Sequence, residues 1–98
     1  MGRSEKQIEQ RLINGVKELG GATFKFISPG AAGVPDRVVI LPGGTVHFVE
    51  LKTEGGVTSK LQLRRIKQLR RLDVTAVVIK GRIEVERYLD NLRELMNE

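Results

Sequence analysis

The sequence predicts an α/β domain in which a mixed β-sheet is flanked by helices, with the element order α-β-β-β-α-β-α. Two observations predict this class. Stripes of apolar residues at helical spacing alternate along the chain with short runs of strand-forming residues. One run, Val74 to Ile79, is apolar except for Thr75, which is typical of a strand covered on both faces. A sheet containing such a strand needs helices on both sides.

The first helix is predicted between Ser4 and Leu19. Ser4 suits the N-cap position, and Gly20-Gly21 is a typical C-terminal stop. The apolar stripe that predicts this helix consists of Ile8, Leu12, Ile13, Val16 and Leu19.

Three strands are predicted next. The first runs from Thr23 to Ser28 and is followed by a loop rich in glycine and proline, residues 29–35. The second and third, Asp36 to Leu41 and Thr45 to Lys52, surround Pro42-Gly43-Gly44, which is typical of a hairpin turn.

A second helix is predicted from a cap at Thr58 or Ser59 to about Leu72. Its expected buried face consists of Leu61, Ile66, Leu69 and Leu72. After the strand at Val74 to Ile79, an amphipathic helix with apolar positions from Ile83 to Met96 closes the chain. The sequence shows no linker or repeat, so residues 1–98 are expected to form a single domain.

Composition narrows the function classes. The chain has no cysteine, which excludes disulfides and thiolate metal sites. We find no apolar run of membrane-spanning length, and the polar N-terminus is unlike a signal peptide, so we expect a cytoplasmic protein without membrane contact. The net charge of +5 suits a nucleic-acid partner, but a charge that serves only solubility is an equal alternative.

The hairpin brings two acidic residues together. If the loop is the three residues Pro42-Gly43-Gly44, Asp36 lies directly opposite Glu50, and opposed side chains have Cβ atoms about 4.5–5.5 Å apart. If the loop has two residues, Asp36 faces Leu51 and the acids are diagonal neighbours. Either register leaves the two carboxylates close enough to bind one divalent cation.

Lys52 lies two residues after Glu50 and therefore on the same face of the strand. Oxygen ligands without cysteine point to Mg²⁺ or Mn²⁺ rather than zinc. The alternative is an ordinary Glu–Lys ion pair on a solvated face. The flanking Phe48, Val49 and Leu51 weaken that alternative, because they predict a buried strand, where unused charges are costly.

Two further polar residues fall on apolar helix faces. Glu9 lies within the arc of the first helix's stripe, where it would join a metal cluster or form a salt bridge at the core edge. Gln62 lies near the middle of the second helix's buried face and needs a hydrogen-bond partner, which the acidic site would provide.

The outer face of the second helix is basic, with Lys60, Arg64, Lys67 and Arg71 at helical spacing. This stripe would suit phosphates, although a solvated face is as good an explanation. Lys25 and Ser28, near the loop that leads to Asp36, are further candidate phosphate contacts. The only histidine, His47, alternates away from Glu50 and Lys52, so we do not expect it to be a ligand or a base.

Taken in order, these residues resemble the VRR-NUC branch of the PD-(D/E)XK nuclease superfamily. The resemblance rests on five pieces and covers most of the chain: Glu9, the segment Lys25 to Gly30, the segment Gly33 to Arg37, the segment Phe48 to Lys52, and Gln62. Pro-Asp and Glu-x-Lys are weak signals singly, but the ordered set is specific.

The resemblance implies the restriction-endonuclease-like fold and Mg²⁺- or Mn²⁺-dependent cleavage of DNA. It implies that Asp36, Glu50 and the Leu51 carbonyl bind metal with support from Glu9, that Lys52 orients or activates water, and that Gln62 supports the site. Arg37, within the matched segment, joins the expected DNA contacts.

Small stand-alone members of this family resemble homodimeric nucleases from viruses or bacteria that act on branched DNA such as Holliday junctions. The same resemblance therefore implies a homodimer, because a chain of this length has no room for a second DNA-binding domain. The alternative is a non-catalytic nucleic-acid-binding module on the same scaffold, which leaves the acidic residues and Lys52 unexplained.

Overall fold

The computed structural model describes residues 4–97 and has the predicted element order. The helices are α1 (Glu5–Glu18), α2 (Lys60–Arg71) and α3 (Gly81–Met96). The strands are β1 (Ala22–Lys25), β2 (Arg37–Ile40), β3 (Val46–Lys52) and β4 (Thr75–Lys80). Strand boundaries differ from the predicted ones by three residues or fewer. The largest difference is at β1, which ends at Lys25 instead of Ser28.

The four strands form one sheet in the order β1-β2-β3-β4. β2 runs antiparallel to both β1 and β3, and β4 runs parallel to β3. The sheet is therefore mixed, as predicted. A parallel neighbour requires a crossover connection, and α2 supplies it between β3 and β4.

The main core lies between one face of the sheet and the pair α1 and α3. Its helical side is formed by residues with 0–1% exposure, and its strand side by the alternate positions of β2, β3 and β4. The members are Ile8, Leu12, Val16, Val39, Leu41, Val49, Leu51, Ile79, Val85, Leu89 and Leu92.

The second helix packs on the opposite face of the sheet, near β4. Ile66 and Ala76 are buried there at 3% and 1% exposure and lie outside the main core. The predicted buried face of α2 was too wide, since Leu61 is 37% and Leu72 69% exposed. The helix α2 packs on β4, the last strand of the sheet, so its apolar residues beyond that strand stay largely exposed.

Both capping predictions are confirmed. Ser4 and Ser59 each accept a hydrogen bond from the backbone N–H three residues later, and their own N–H groups donate to the side-chain amide oxygens of Gln7 and Gln62. These capping boxes satisfy backbone donors that a helix N-terminus leaves unpaired. Within residues 4–97, no helix has the length and apolar character needed to cross a membrane.

Candidate active site

The β2–β3 hairpin has the three-residue loop. The Leu41 N–H donates to the Thr45 carbonyl at 2.9 Å, and the Gly44 N–H donates to the Leu41 carbonyl at 3.0 Å. Gly43 and Gly44 have φ of 91° and 87°, a conformation that favours glycine. This turn confirms the first of the two registers considered above.

That register places the two acidic residues together. Arg37 pairs with Val49 at the end of the ladder, so one further pair brings Asp36 opposite Glu50. Asp36 itself is exposed, and it follows Pro35, which is fully buried and anchors the end of the glycine-rich loop. Both carboxylates therefore lie where β2 begins and β3 approaches its end, on the face of the sheet that carries α2.

Glu50 is a carboxylate in an unfavourable environment. Its side chain is 6% exposed, and the Lys52 ammonium lies 3.5 Å from its Oε2 atom. Burial raises the pKa of Glu50, and the negative charge of Asp36 raises it further, although Lys52 opposes both effects. A single lysine does not remove the cost of this buried charge, so the site favours additional positive charge.

The donor atoms available here suit a hard divalent cation. They are the carboxylates of Asp36 and Glu50 and the backbone carbonyl of Leu51, which lies between Glu50 and Lys52. Among residues 4–97, no group of three or more His, Cys, Asp and Glu side chains could hold a metal ion. Mg²⁺ is commonly held by one or two carboxylates, with water and substrate phosphate completing its shell. These residues therefore fit Mg²⁺ or Mn²⁺.

Glu9 does not join this pair. It is engaged by Arg37, whose guanidinium donates to the Glu9 carboxylate and, at 2.8 Å, to Thr23 Oγ1. Strand alternation directs Arg37 to the α1 face of the sheet, opposite to Asp36. Of the two predicted fates of Glu9, the structure has the salt bridge at the core edge. The metal role expected from the family resemblance has no support in this arrangement.

Arg37 is itself placed differently from the expectation. Its exposure is 4%, so the guanidinium is inside the fold and occupied by Glu9 and Thr23. It is not on the surface, where a DNA backbone would pass. An arginine that alternates onto an apolar face, with an acidic residue on the facing helix, could have signalled this pairing.

Gln62 has a local role in α2. Its amide oxygen accepts a hydrogen bond from the Ser59 N–H at 2.9 Å, which completes the capping box. The side chain is half-buried. The partner of the Gln62 side chain is therefore the start of its own helix and not the acidic site, where it was predicted.

The basic stripe of α2 is fully on the outside. All four residues, Lys60, Arg64, Lys67 and Arg71, are exposed, and together with Leu63 they line a shallow groove of about 390 Å³. None of the four forms a salt bridge with any residue in the described range. Four unneutralised cations along one helix face form a surface that suits a phosphate backbone.

The two remaining predicted contacts, Lys25 and Ser28, precede the loop that leads to Asp36. Lys25 is exposed at the end of β1 and lines a cavity of about 640 Å³ that Asp36 and Glu9 also line. Ser28 is half-buried, and its carbonyl accepts from the Ala31 N–H at 3.3 Å.

Arg65 is a residue that the sequence analysis missed. Its Nε donates to the Ala32 carbonyl at 2.9 Å, which ties the glycine-rich loop to α2. Beside it, Gly33 has φ of 82°, and a Cβ there would lie 3.0 Å from the Leu61 backbone. Arg65 follows Gln62 by three residues and precedes Leu69 by four, a spacing that places it on the inward side of α2 and could have identified it.

His47 agrees with its prediction. It lies on the opposite face of β3 from Glu50, buried at 6% exposure, with Nδ1 2.8 Å from the Tyr88 hydroxyl. Burial lowers the pKa of His47, so the neutral ring is favoured. It belongs to the core against α3.

Comparisons with known proteins found one curated relative and several similar folds. No family model matches the sequence. A curated relative named "Putative nuclease p44", from Acyrthosiphon pisum secondary endosymbiont phage 1, is 43% identical over 75 residues, which cover 76% of this chain and 81% of the relative.

Two solved structures are also similar. A VRR_NUC domain superposes with a TM-score of 0.81 at 29% identity and covers 88% of this chain and 94% of its own. A VRR_NUC domain protein superposes at 0.69 over 93% of this chain and 88% of its own; at 18% identity, that likeness concerns the fold alone.

Proposed function

Since this chain belongs to the VRR-NUC family of nucleases in the PD-(D/E)XK superfamily, we propose that it is a Mg²⁺- or Mn²⁺-dependent endonuclease that hydrolyses phosphodiester bonds in DNA. The observation that carries the proposal is the register of the β2–β3 hairpin, which sets Asp36 opposite Glu50 with Lys52 on the same face. Two opposed carboxylates destabilise a strand pair unless a cation lies between them.

Each residue of the proposed site has its own role in the reaction. Asp36, Glu50 and the Leu51 carbonyl would hold the cation. When bound, it supplies positive charge at the scissile phosphate and acidifies water. Lys52, held 3.5 Å from Glu50, adds a positive charge where negative charge develops in the transition state and orients the attacking water. Arg65 and Gly33 hold the loop that ends at Asp36 and so fix one of the two carboxylates.

The exposed stripe on α2 and Lys25 would bind the DNA backbone on either side of the cut. Such contacts position the substrate without reading its sequence. The preferred substrate is branched DNA such as a Holliday junction, and the active form is a homodimer, because a four-way junction presents two symmetric strands and paired cuts need two sites related by a two-fold axis. The cytoplasm of a bacterium or of a virus-infected host supplies such DNA, in keeping with the phage origin of the curated relative.

The test is cleavage of a panel of labelled substrates: duplex, single strand, flap, splayed arm and four-way junction, each as DNA and as RNA, with Mg²⁺ and with Mn²⁺. We expect metal-dependent cleavage of the branched DNA and none in excess EDTA. Asp36→Ala and Lys52→Ala should abolish cleavage with an unchanged circular dichroism spectrum. Asp90→Ala and Lys17→Ala, which remove the same charges elsewhere on the surface, should not.

Two outcomes would contradict the proposal. Full activity of Asp36→Ala and Lys52→Ala, or cleavage undiminished in EDTA, would rule out this metal site. Tight DNA binding without cleavage under any metal would instead favour the non-catalytic binding module.

A further inference from the structure

Of the residues that line the cavity of about 640 Å³, only Asp36, as a metal ligand, and Lys25, as a backbone contact, have a role in the mechanism above. The cavity lies where β1 ends and β2 begins, below the first turns of α1. Asp36 is part of its wall, so anything that fills it lies next to the metal ligand. The residues that line the cavity determine which part of a DNA substrate it suits.

One wall of the cavity is apolar and unusually open. Phe26 and Ile27 are 37% and 82% exposed, although they are consecutive large apolar residues directly after β1. The Phe26 N–H donates to the Asp36 carbonyl, and its ring makes an edge-to-face contact with Phe48, at a centroid distance of 5.4 Å and an interplanar angle of 87°. A supported, partly exposed aromatic ring is the usual platform on which proteins stack a nucleobase.

The charged groups of the cavity suit a sugar-phosphate. Lys6 and Lys25 line it, and neither forms a salt bridge with a residue in the range 4–97. Glu9, which would repel a phosphate, is neutralised by Arg37. The other two carboxylates of the lining are Asp36, the proposed metal ligand, and Glu5. Once a cation is bound at Asp36, the two lysines outweigh the charge of Glu5.

We propose that this cavity binds one unpaired nucleotide next to the scissile phosphate, with its base against Phe26 and Ile27 and its phosphate near Lys25 and Lys6. In a duplex, the faces of the bases are covered by their stacked neighbours, so a base reaches a protein cavity only after it leaves the stack. The cavity therefore selects DNA in which a base beside the cut is already unpaired, as at a branch point. This inference rests on the proposed function and names the feature of branched DNA that each subunit recognises.

The test is a cycle that combines a change in the protein with a change in the DNA. Binding of a splayed-arm DNA is measured by fluorescence anisotropy without divalent cation, so that no cleavage occurs. Unpaired nucleotides at the branch are replaced one at a time by abasic sites, which keep the backbone and remove only the base. With the unchanged protein, one position should lose affinity on the order of five- to a hundredfold.

Phe26→Leu keeps an apolar side chain against Phe48 but removes the aromatic face, so removal of the base should cost this variant little or nothing further. Ile27→Ser changes a side chain that is 82% exposed, so this second variant should fold normally. It should also reduce the dependence of the affinity on the base. Leu72→Ala, an exposed apolar position on α2 away from the cavity, should leave it unchanged.

The proposal is overturned if base removal has the same effect in the unchanged protein and in both cavity variants, or has no effect at any position. Because the readout is binding, its result is independent of catalysis. Base dependence that requires Phe26, without any cleavage, would uphold the cavity and contradict the nuclease. Cleavage without base dependence would uphold the nuclease and contradict the role of the cavity.

Discussion

At the scale of single residues, Glu50 affects both the stability of the fold and the proposed metal site. The ionised carboxylate is buried and faces Asp36, which together raise its pKa, and Lys52 compensates only in part. We therefore predict that Glu50→Gln, measured by urea unfolding in EDTA at neutral pH, raises the free energy of unfolding by on the order of 1 kcal/mol. Lys52 loses its partner carboxylate, but its side chain reaches water, so that loss is small.

Addition of Mg²⁺ should make the unchanged protein more stable than Glu50→Gln. A ligand that binds only the folded state stabilises it by about 2.7 kcal/mol at a hundredfold excess over its dissociation constant. The unchanged protein should gain in this way, and Glu50→Gln should gain much less because one metal ligand is lost. Equal stabilisation of both proteins by Mg²⁺ would place the metal elsewhere.

His47 makes a separate prediction about pH. Burial lowers its pKa below the ordinary value of 6.5, so the unfolded chain takes up a proton before the folded one does. The free energy of unfolding should therefore fall as pH falls through 6.5, by up to about 1.4 kcal/mol per pH unit from this group. His47→Asn keeps a polar group for Tyr88 but cannot titrate.

The comparison is made by urea unfolding from pH 7.5 to 5. The stability advantage of the unchanged protein over His47→Asn should shrink as pH falls, whatever the offset at pH 7.5. The carboxylates titrate alike in both proteins and cancel. An advantage that stays constant with pH would mean that His47 is protonated as easily in the fold as in water.

At the scale of elements, the glycine-rich loop contacts α2 and ends at Asp36, so the position of Asp36 depends on that of α2. Gly33 has a left-handed φ of 82° and approaches the Leu61 backbone, whereas a Cβ at Gly30 would meet nothing within 4 Å. Gly33→Ala should therefore destabilise the fold by about 1–3 kcal/mol and reduce cleavage, and Gly30→Ala should do neither. The measurements are urea unfolding and the cleavage rate of both variants, and equal behaviour of the pair would contradict the role given to this loop.

The basic stripe of α2 gives the second prediction at this scale. Arg64→Ala and Lys67→Ala should each weaken DNA binding and lower the slope of log affinity against log salt by about 1, because each removes about one phosphate contact. Lys17→Ala on α1 changes the net charge by the same amount and should leave the slope unchanged. A similar slope for all three variants would show that the overall charge matters and the stripe does not.

At the scale of the whole molecule, the oligomeric state decides between two ways of recognising a junction. We predict a homodimer by light scattering at micromolar concentration, with paired cuts in the two symmetric strands of a four-way junction. A monomer, free and DNA-bound, would contradict junction resolution but not nuclease chemistry. A monomer could still recognise a branch through the cavity beside Phe26.

Sequence reasoning succeeded where the interactions are local. Asp36 and Glu50 belong to one hairpin, whose short loop allows only two registers, so their proximity follows from counting and strand period. Glu9 and Gln62 were correctly expected to need partners, but periodicity does not identify a partner on another element. Arg37 lies 28 positions from Glu9 and was assigned to the surface instead. The width of the buried face on α2 depends on where the sheet ends, which the helix sequence does not contain.

The three-residue turn between β2 and β3 has a consequence for how this protein can evolve. Side chains alternate strictly along a strand, so an insertion or deletion of one residue at Pro42-Gly43-Gly44 that slipped the pairing by one residue would disturb the whole set that faces each layer. Slippage of β3 would turn Glu50 and Lys52 towards α1 and α3 and bring Val49 and Leu51 to the face that carries the proposed metal site. Although the turn lies at the opposite end of the hairpin from the acids, its length should be under selection as strict as theirs.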